Sequence, residues 1–330
     1  MLWFFLLFST GCWGLAEIFY KMGNVANERY SHLKTTVFVG IFFGIYSLMI
    51  ALTQGVELAY LPANMIRYLP VAACYIVSMM CSYFGVRYIE ESISDPIENT
   101  SCAVVPVLCA VFLHQELSIK TIIAIIIVVI GILGVVIFDS DGKTDRTREF
   151  GKKLALIGVA MPFCYMILDA TGTFLDIYYT TDAGTSVLTG VNERNLAHTA
   201  NCCYEFTFLL VAIGILIFLK MKKVGLFDTA EDEALILAGK QPEKKNALQK
   251  IYGQRYKLLA ALFETGGQAT FLFALSEGSG IAAVILGAGT VIISFILSRI
   301  ILKERLSILQ YASIGVIFAG IIIFSLLGYT

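Results

Sequence analysis

The chain has 330 residues, 58% hydrophobic and 15% charged, against roughly 45–50% and 25% in a soluble domain. So large an apolar excess is more than a buried core takes up and makes lipid the solvent, while a net charge of −1 leaves no basic face for nucleic acid. The eight cysteines form no CxxC pair, and those inside apolar runs, such as Cys74 and Cys81, read as small hydrophobes.

A membrane span needs roughly 20 apolar residues. In chain order the candidates are Leu2–Tyr20, Thr35–Thr53, Tyr68–Val86, Ser92–Leu113, Ile119–Phe138, Leu154–Ile177, Thr199–Leu219, Tyr256–Ser276, Gly280–Leu302 and Ile308–Leu327. Each must be a helix, because lipid offers no partner to an open backbone amide. Met1–Phe8 resembles a signal-peptide core, but the apolar run continues to Tyr20 without a basic start, so it reads as a retained first span.

Charge tests the count. The connections after spans one, three, five, seven and nine, together with the span ends beside them, hold 21 of the 24 Lys and Arg, and only Arg67, Lys120 and Arg194 fall on the other side. The positive-inside rule then puts the odd-numbered loops in the cytoplasm and both termini outside. Two polar pieces remain: a charged linker at 139–153 and a long basic loop at 220–255. In that loop Asp228-Thr-Ala-Glu231 has capping-box spacing, which predicts a short surface helix. A regulatory loop and a solvated spacer are the two readings of it.

The chain also repeats. Leu113-His-Gln-Glu-Leu-Ser118 reads against Leu302-Lys-Glu-Arg-Leu-Ser307 at an offset of 189, which also lays Gly131 on Gly320. An offset of 152 aligns spans one and six, setting Trp13 on Tyr165 and Glu17 on Asp169. Five spans per repeat is odd, so the second repeat is inverted. The expected fold is an all-α membrane protein of ten helices in two inverted five-helix repeats, at 1–138 and 154–330. Such duplication marks secondary transporters.

Ionisable residues in a membrane are costly and are functional-site candidates by default. This chain places Glu17 in span one, Glu98 in span four, Asp169 and Asp176 in span six, Glu205 in span seven and Glu264 in span eight. By helical rise Glu264 falls close to the midplane, with Glu17, Glu98, Asp169 and Glu205 within roughly 8 Å of it. Glu17 and Asp169, at matching positions of the two halves, would face one central cavity. Trp13 and Tyr165 would give it aromatic walls, and Gln268 lies one turn beyond Glu264. A carboxyl in a dry cavity beside another disfavours its charged form and holds a proton near neutral pH. A cationic substrate would expel that proton, which is the thermodynamic requirement for exchange.

Structural readings stand beside these. Glu17 and Lys21 have i,i+4 spacing for an ion pair. Asp169, Thr173 and Asp176 form a stripe suited to interhelix hydrogen bonds, or Asp176 reaches solvent at its helix end. Glu205 and Glu264 have Gln268 or a tyrosine as pairing partners. Asp95 and Glu98 suit the helix start near Ser92 and Ser94. The histidines show no metal-ligand spacing and no phosphate loop precedes a Lys-Ser/Thr, so neither an enzyme nor an ATP-driven pump is expected, and no cofactor.

Two halves that each close with Leu-x-x-x-Leu-Ser and a Gly-containing last helix resemble the drug/metabolite transporter superfamily, specifically EamA-like transporters. The similarity is strongest over Gly280–Leu327, where Lys303-Glu304-Arg305-Leu306-Ser307 resembles the family's hinge; Gln115 replaces that glutamate in the first half, and Glu304 reads as a helix-end residue. Gly14-Leu15-Ala16-Glu17-Ile18 is similar to the first helix of small multidrug resistance proteins, which implies proton and cation binding at Glu17. Ten-span members of the superfamily usually keep both termini in the cytoplasm; the charge count is followed here. The expectation is a proton-coupled plasma-membrane exporter of a small amine-bearing or cationic metabolite, a monomer or homodimer. The alternatives are a carrier of neutral or anionic metabolites with structural acids, and a non-transporting scaffold or sensor.

Overall fold

The computed structural model describes residues 2–114, 116–138, 140–180, 187–192, 194–243, 245–304 and 307–327, with side chains at all of these except 2–3, 140–146, 237, 272–285, 287–288, 321–322 and 324–327. The regular elements among them are helices: α1 (Leu2–Gly23), α2 (Ser31–Thr53), α3 (Leu61–Arg67), α4 (Leu69–Gly85), α5 (Glu91–Glu98), α6 (Ser101–Leu113) and α7 (Ile119–Ile137). There follow α8 (Ser140–Thr180), α9 (Leu196–Met221), α10 (Ala230–Leu237), α11 (Ala247–Gly253), α12 (Arg255–Leu297) with a π-helical turn at Ser298–Leu302, and α13 (Ile308–Leu327).

The apolar runs and their breaks explain these bounds. Among the described residues, five stretches are long and apolar enough to cross a membrane: Ser31–Thr53, Glu91–Leu113, Ile119–Ile137, Thr147–Thr180 and Leu196–Met221. The pair α3–α4, bent by 67°, makes a sixth if it is one span. Predicted spans one to seven and ten coincide with helices to within a few residues. The charged linker is itself helical from Ser140 and breaks at Gly151, whose φ of 79° suits a residue without Cβ.

Predicted spans eight and nine fall within the single 43-residue helix α12. A straight helix of that length would extend about 65 Å, twice the reach of α1. Its contacts with α1 rule that out: Gly23 abuts Lys257 and Gly267 abuts Trp13, whereas Thr10 abuts Gly289 and Gly14 abuts Ile293. The first arm therefore runs antiparallel to α1 and the second parallel to it, so the chain reverses between Phe271 and Gly289.

The two hinge motifs are built alike. His114 and Lys303 sit at equivalent positions and both end a helix in the left-handed region, at φ 55° and 58°. Ser118 then caps α7 by accepting from Thr121 N at 3.1 Å, as Ser307 caps α13 by accepting from Gln310 N at 3.2 Å. The helices they start pack antiparallel through glycine: a Cβ on Gly131 would come within 2.6 Å of Ile317, and one on Gly320 within 2.7 Å of Val128. Shifting the first contact by 189 produces the second, so a local twofold axis relates α7 to α13. Glu304, from the second hinge, caps α5 in the first half, accepting from Glu91 N at 3.1 Å and Ser92 N at 3.0 Å.

The 220–255 loop departs from the solvated spacer considered above. Its capping box is Thr229–Asp232, one residue later than expected, because Asp228 instead accepts from Gly225 N at 2.5 Å. That register turns Glu233 inward to pair with buried Lys34 of α2 at 2.7 Å. Lys34 also meets Glu28 at 2.9 Å, and Lys257 of α12 meets Glu28 at 2.7 Å. The short surface helix expected here is thus the outer wall of a buried ion network joining α2, α10 and α12.

Candidate functional site

Broken and glycine-bearing helices bring the membrane acids together. The break after Glu98, at Asn99–Thr100, leaves both Glu98 and Ser101 on the wall of one cavity, with Ser101 bonded to α8 through Asp169. Gly267 lets α12 approach α1 so closely that a Cβ there would meet the Trp13 ring at 2.5 Å, and this fixes Trp13 beside Glu264. Gly172 likewise seats Tyr75 of α4 against α8.

The result is a cavity of about 120 Å³ between α1, α4, α5–α6, α8, α9 and both arms of α12. That is several times what one water needs. Glu17, Glu98, Asp169 and Glu264 all line it, with Trp13, Tyr165 and Gln268. Among the described residues, those that line it include no Lys, Arg or His. Four carboxyls face a space without a countercharge, walled by rings that include Tyr20, Tyr75, Tyr83, Tyr204 and Phe271.

Each acid is held differently. Tyr20 Oη donates to Glu264 Oε2 at 3.0 Å, and Tyr83 Oη donates to Tyr20 Oη at 3.0 Å. Ser101 Oγ donates to Asp169 Oδ2 at 2.7 Å, and Ser94 Oγ to Glu98 Oε1 at 2.9 Å. Glu17 Oε2 is buried with no donor among the described residues. The Glu17–Lys21 ion pair does not form: Lys21 Nζ donates to the carbonyls of Val86 and Ile89 at 2.7 and 2.6 Å. The carbonyls freed where α4 ends before α5 attract the ammonium more closely than its own helix neighbour does.

Glu205 is not on the cavity wall. It is fully buried on α9, and its pairing with Gln268 or a tyrosine is replaced by a bond from Gln268 Nε2 to Asn201 Oδ1 at 3.2 Å. Asp176 does not reach solvent but is buried, accepting a hydrogen bond from Tyr68. Asp95 accepts from Ser294 and, at 2.7 Å, from Asn99 Nδ2, so it links α5 to the returning arm of α12. Tyr20, Tyr204, Asn99 and Thr290 line the cavity without having been singled out. Tyr20 had a signal: it lies three residues after Glu17, on the same helical face.

Among curated proteins no sequence match is found. Of 28 solved chains that match, one, described only as the crystal structure of a protein, has a TM-score of 0.54 at 10% identity, covering 99% of this chain and 97% of its own. At that identity the likeness speaks for the fold. The family model described as EamA-like transporter family matches residues 1–137 and 203–326, most of both halves. With its apolar helices and central cavity, the chain is a multi-pass membrane protein of the drug/metabolite transporter superfamily and belongs to the EamA-like transporter family.

Proposed function

We propose that the protein is a proton-coupled secondary carrier that exports a small amine-bearing or cationic metabolite across the plasma membrane by alternating access. The observation that carries this reading is the cavity with four carboxyls and no base. A site of that charge rejects anions and holds either protons or a cation, and the aromatic walls add cation–π attraction. Occupancy by one excludes the other, so the two gradients are coupled. Glu17, without a donor on Oε2, is the first group we assign to this exchange, with Asp169, Glu98 and Glu264.

The ten-span, five-plus-five arrangement is part of the same proposal. It is supported by the reversal of α12 against α1 and by the paired contacts Gly131–Ile317 and Gly320–Val128. An axis through the antiparallel α7–α13 pair would lie in the membrane plane, as inverted repeats require. The charge count places the odd loops inside and both termini outside, which a reporter at Thr330 tests: activity of that reporter in the cytoplasm refutes the topology.

Thermal stability of the purified protein against a panel of cationic, zwitterionic, neutral and anionic metabolites, at pH 6 and pH 8, tests the substrate class, because a bound ligand stabilises by mass action. Amines should stabilise, more strongly at pH 8, and not in Glu17→Gln. Stabilisation by neutral or anionic compounds, indifferent to pH and to that substitution, would make the acids structural.

A further inference from the structure

Glu205 combines full burial with the lack, among the described residues, of a donor at hydrogen-bonding geometry to either of its carboxyl oxygens. The nearest polar groups are Asn201, one turn back on α9, and Ser47 of α2, whose hydroxyl is likewise without a partner. The titratable groups facing it are Tyr46 on α2 and Cys202 and Tyr204 on its own helix. From α4, Tyr75 and Met79 reach only as far as Tyr204, and α12 contributes the uncharged Gln268 through Asn201. None of these is a cation. A carboxylate buried in such company is too costly to remain charged, whereas a carboxylic acid is tolerated.

We propose that Glu205 is a second proton-binding site, separate from the cavity, which signals its protonation to the cavity through Asn201 and Gln268. The chemistry follows from which atoms can donate. On ionising, Glu205 would draw the neighbouring Asn201 Nδ2 and Ser47 Oγ into hydrogen bonds that the structure does not yet show, leaving Asn201 Oδ1 to hold the Gln268 amide. Protonated Glu205 is itself a donor, and its acceptors are Ser47 Oγ and Asn201 Oδ1, the atom that Gln268 uses at 3.2 Å. Asn201 Oδ1 has two lone pairs, so the new donor shares that acceptor and turns the Asn201 amide, re-aiming the hydrogen bond that positions a cavity-wall amide without entering the cavity.

Infrared difference spectroscopy of the full chain in lipid at neutral pH tests the site without any ligand. Glu205→Gln should lose a protonated carboxylic-acid C=O band, and Glu205→Asp should shift it, which keeps the test open if the first variant folds poorly. Loss of a carboxylate band instead, or no change in the acid region, overturns the proposal. The signalling half rests on the cavity being the substrate site. In proteoliposomes the ratio of amine KM at pH 6 to that at pH 8 should move toward one in Glu205→Gln and in Gln268→Leu. An unchanged ratio in both overturns the link to the cavity. If no amine is bound by the wild type, the cavity reading and the link fall together, while the infrared result still judges the proton site.

Discussion

Replacing Lys34 with methionine tests whether the 220–255 loop is a structural part of the fold. The Lys34 side chain is 0% exposed, with its Nζ 2.9 Å from Glu28, 2.7 Å from Glu233 and donating to the Asp228 carbonyl at 2.6 Å. Without it, Glu28 keeps its pair with Lys257, while Glu233 loses its close ion pair among the described residues and has only the more distant Lys257 and Arg87 charges near it. Breaking a buried pair in this way costs about 3–5 kcal/mol. The Lys245–Asp232 pair on the same loop is the internal standard: Lys245 is 27% exposed, and exposed pairs contribute about 0.2–1 kcal/mol. Thermal unfolding in detergent should rank Lys34→Met well below Lys245→Met. The double variant Lys34→Met/Glu233→Gln removes the stranded charge and should recover part of the loss. A Lys34→Met midpoint no lower than that of Lys245→Met would refute the reasoning, and so would a double variant that loses the sum of the two single changes.

Other expectations follow from particular contacts. Glu304→Ala strips two backbone donors at the start of α5 of their acceptor and should cost about 0.5–2 kcal/mol in thermal unfolding, a cap's usual range. Gly131→Ala forces a Cβ to within 2.8 Å of the Ile317 nitrogen and should cost about 1–3 kcal/mol. Gly315→Ala, with nothing within 4 Å, should leave the unfolding midpoint nearly unchanged by comparison. Partial burial works to raise the Asp232 carboxyl, but hydrogen bonds from Lys245 and Thr229 outweigh it and hold the group below its ordinary 3.8. A lowered acid contributes stability that is complete above the ordinary value and lost as pH falls through the lowered one. Amide-exchange protection of α10 should therefore be flat from pH 7 to pH 5 and fall only in stronger acid; a fall already between pH 7 and pH 5 would contradict this.

Span positions were readable because lipid imposes one rule on every residue of a crossing helix. The apolar run Ile119–Phe138 and the helix Ile119–Ile137 differ by a single residue for that reason. The hinge motif was readable as a repeat, yet its physical content, a left-handed helix end followed by a serine cap, needed the backbone. The matching of Glu17 with Asp169 depended only on the offset, and both line one cavity. Depth along a helix says nothing about azimuth. Glu205 had a depth like that of Asp169 yet faces Asn201 and Ser47 instead of the cavity. Lys21 went to the carbonyls of Val86 and Ile89 because two open acceptors 65 and 68 residues away cannot be seen from i,i+4 spacing. The burial of α10 was hidden similarly: Glu233 looks like any surface acid until Lys34 is placed opposite it.

Proton movement in proteoliposomes is the most direct test of the exchange. The protein is reconstituted with a pH-sensitive dye inside the vesicles and no imposed gradient, and an amine is added outside. Wild type should move protons out of the vesicles as the amine enters, while Glu17→Gln and Asp169→Asn, both isosteric, should abolish that signal. An undiminished proton signal in both variants, or amine uptake without any proton movement in the wild type, would contradict exchange at the cavity acids.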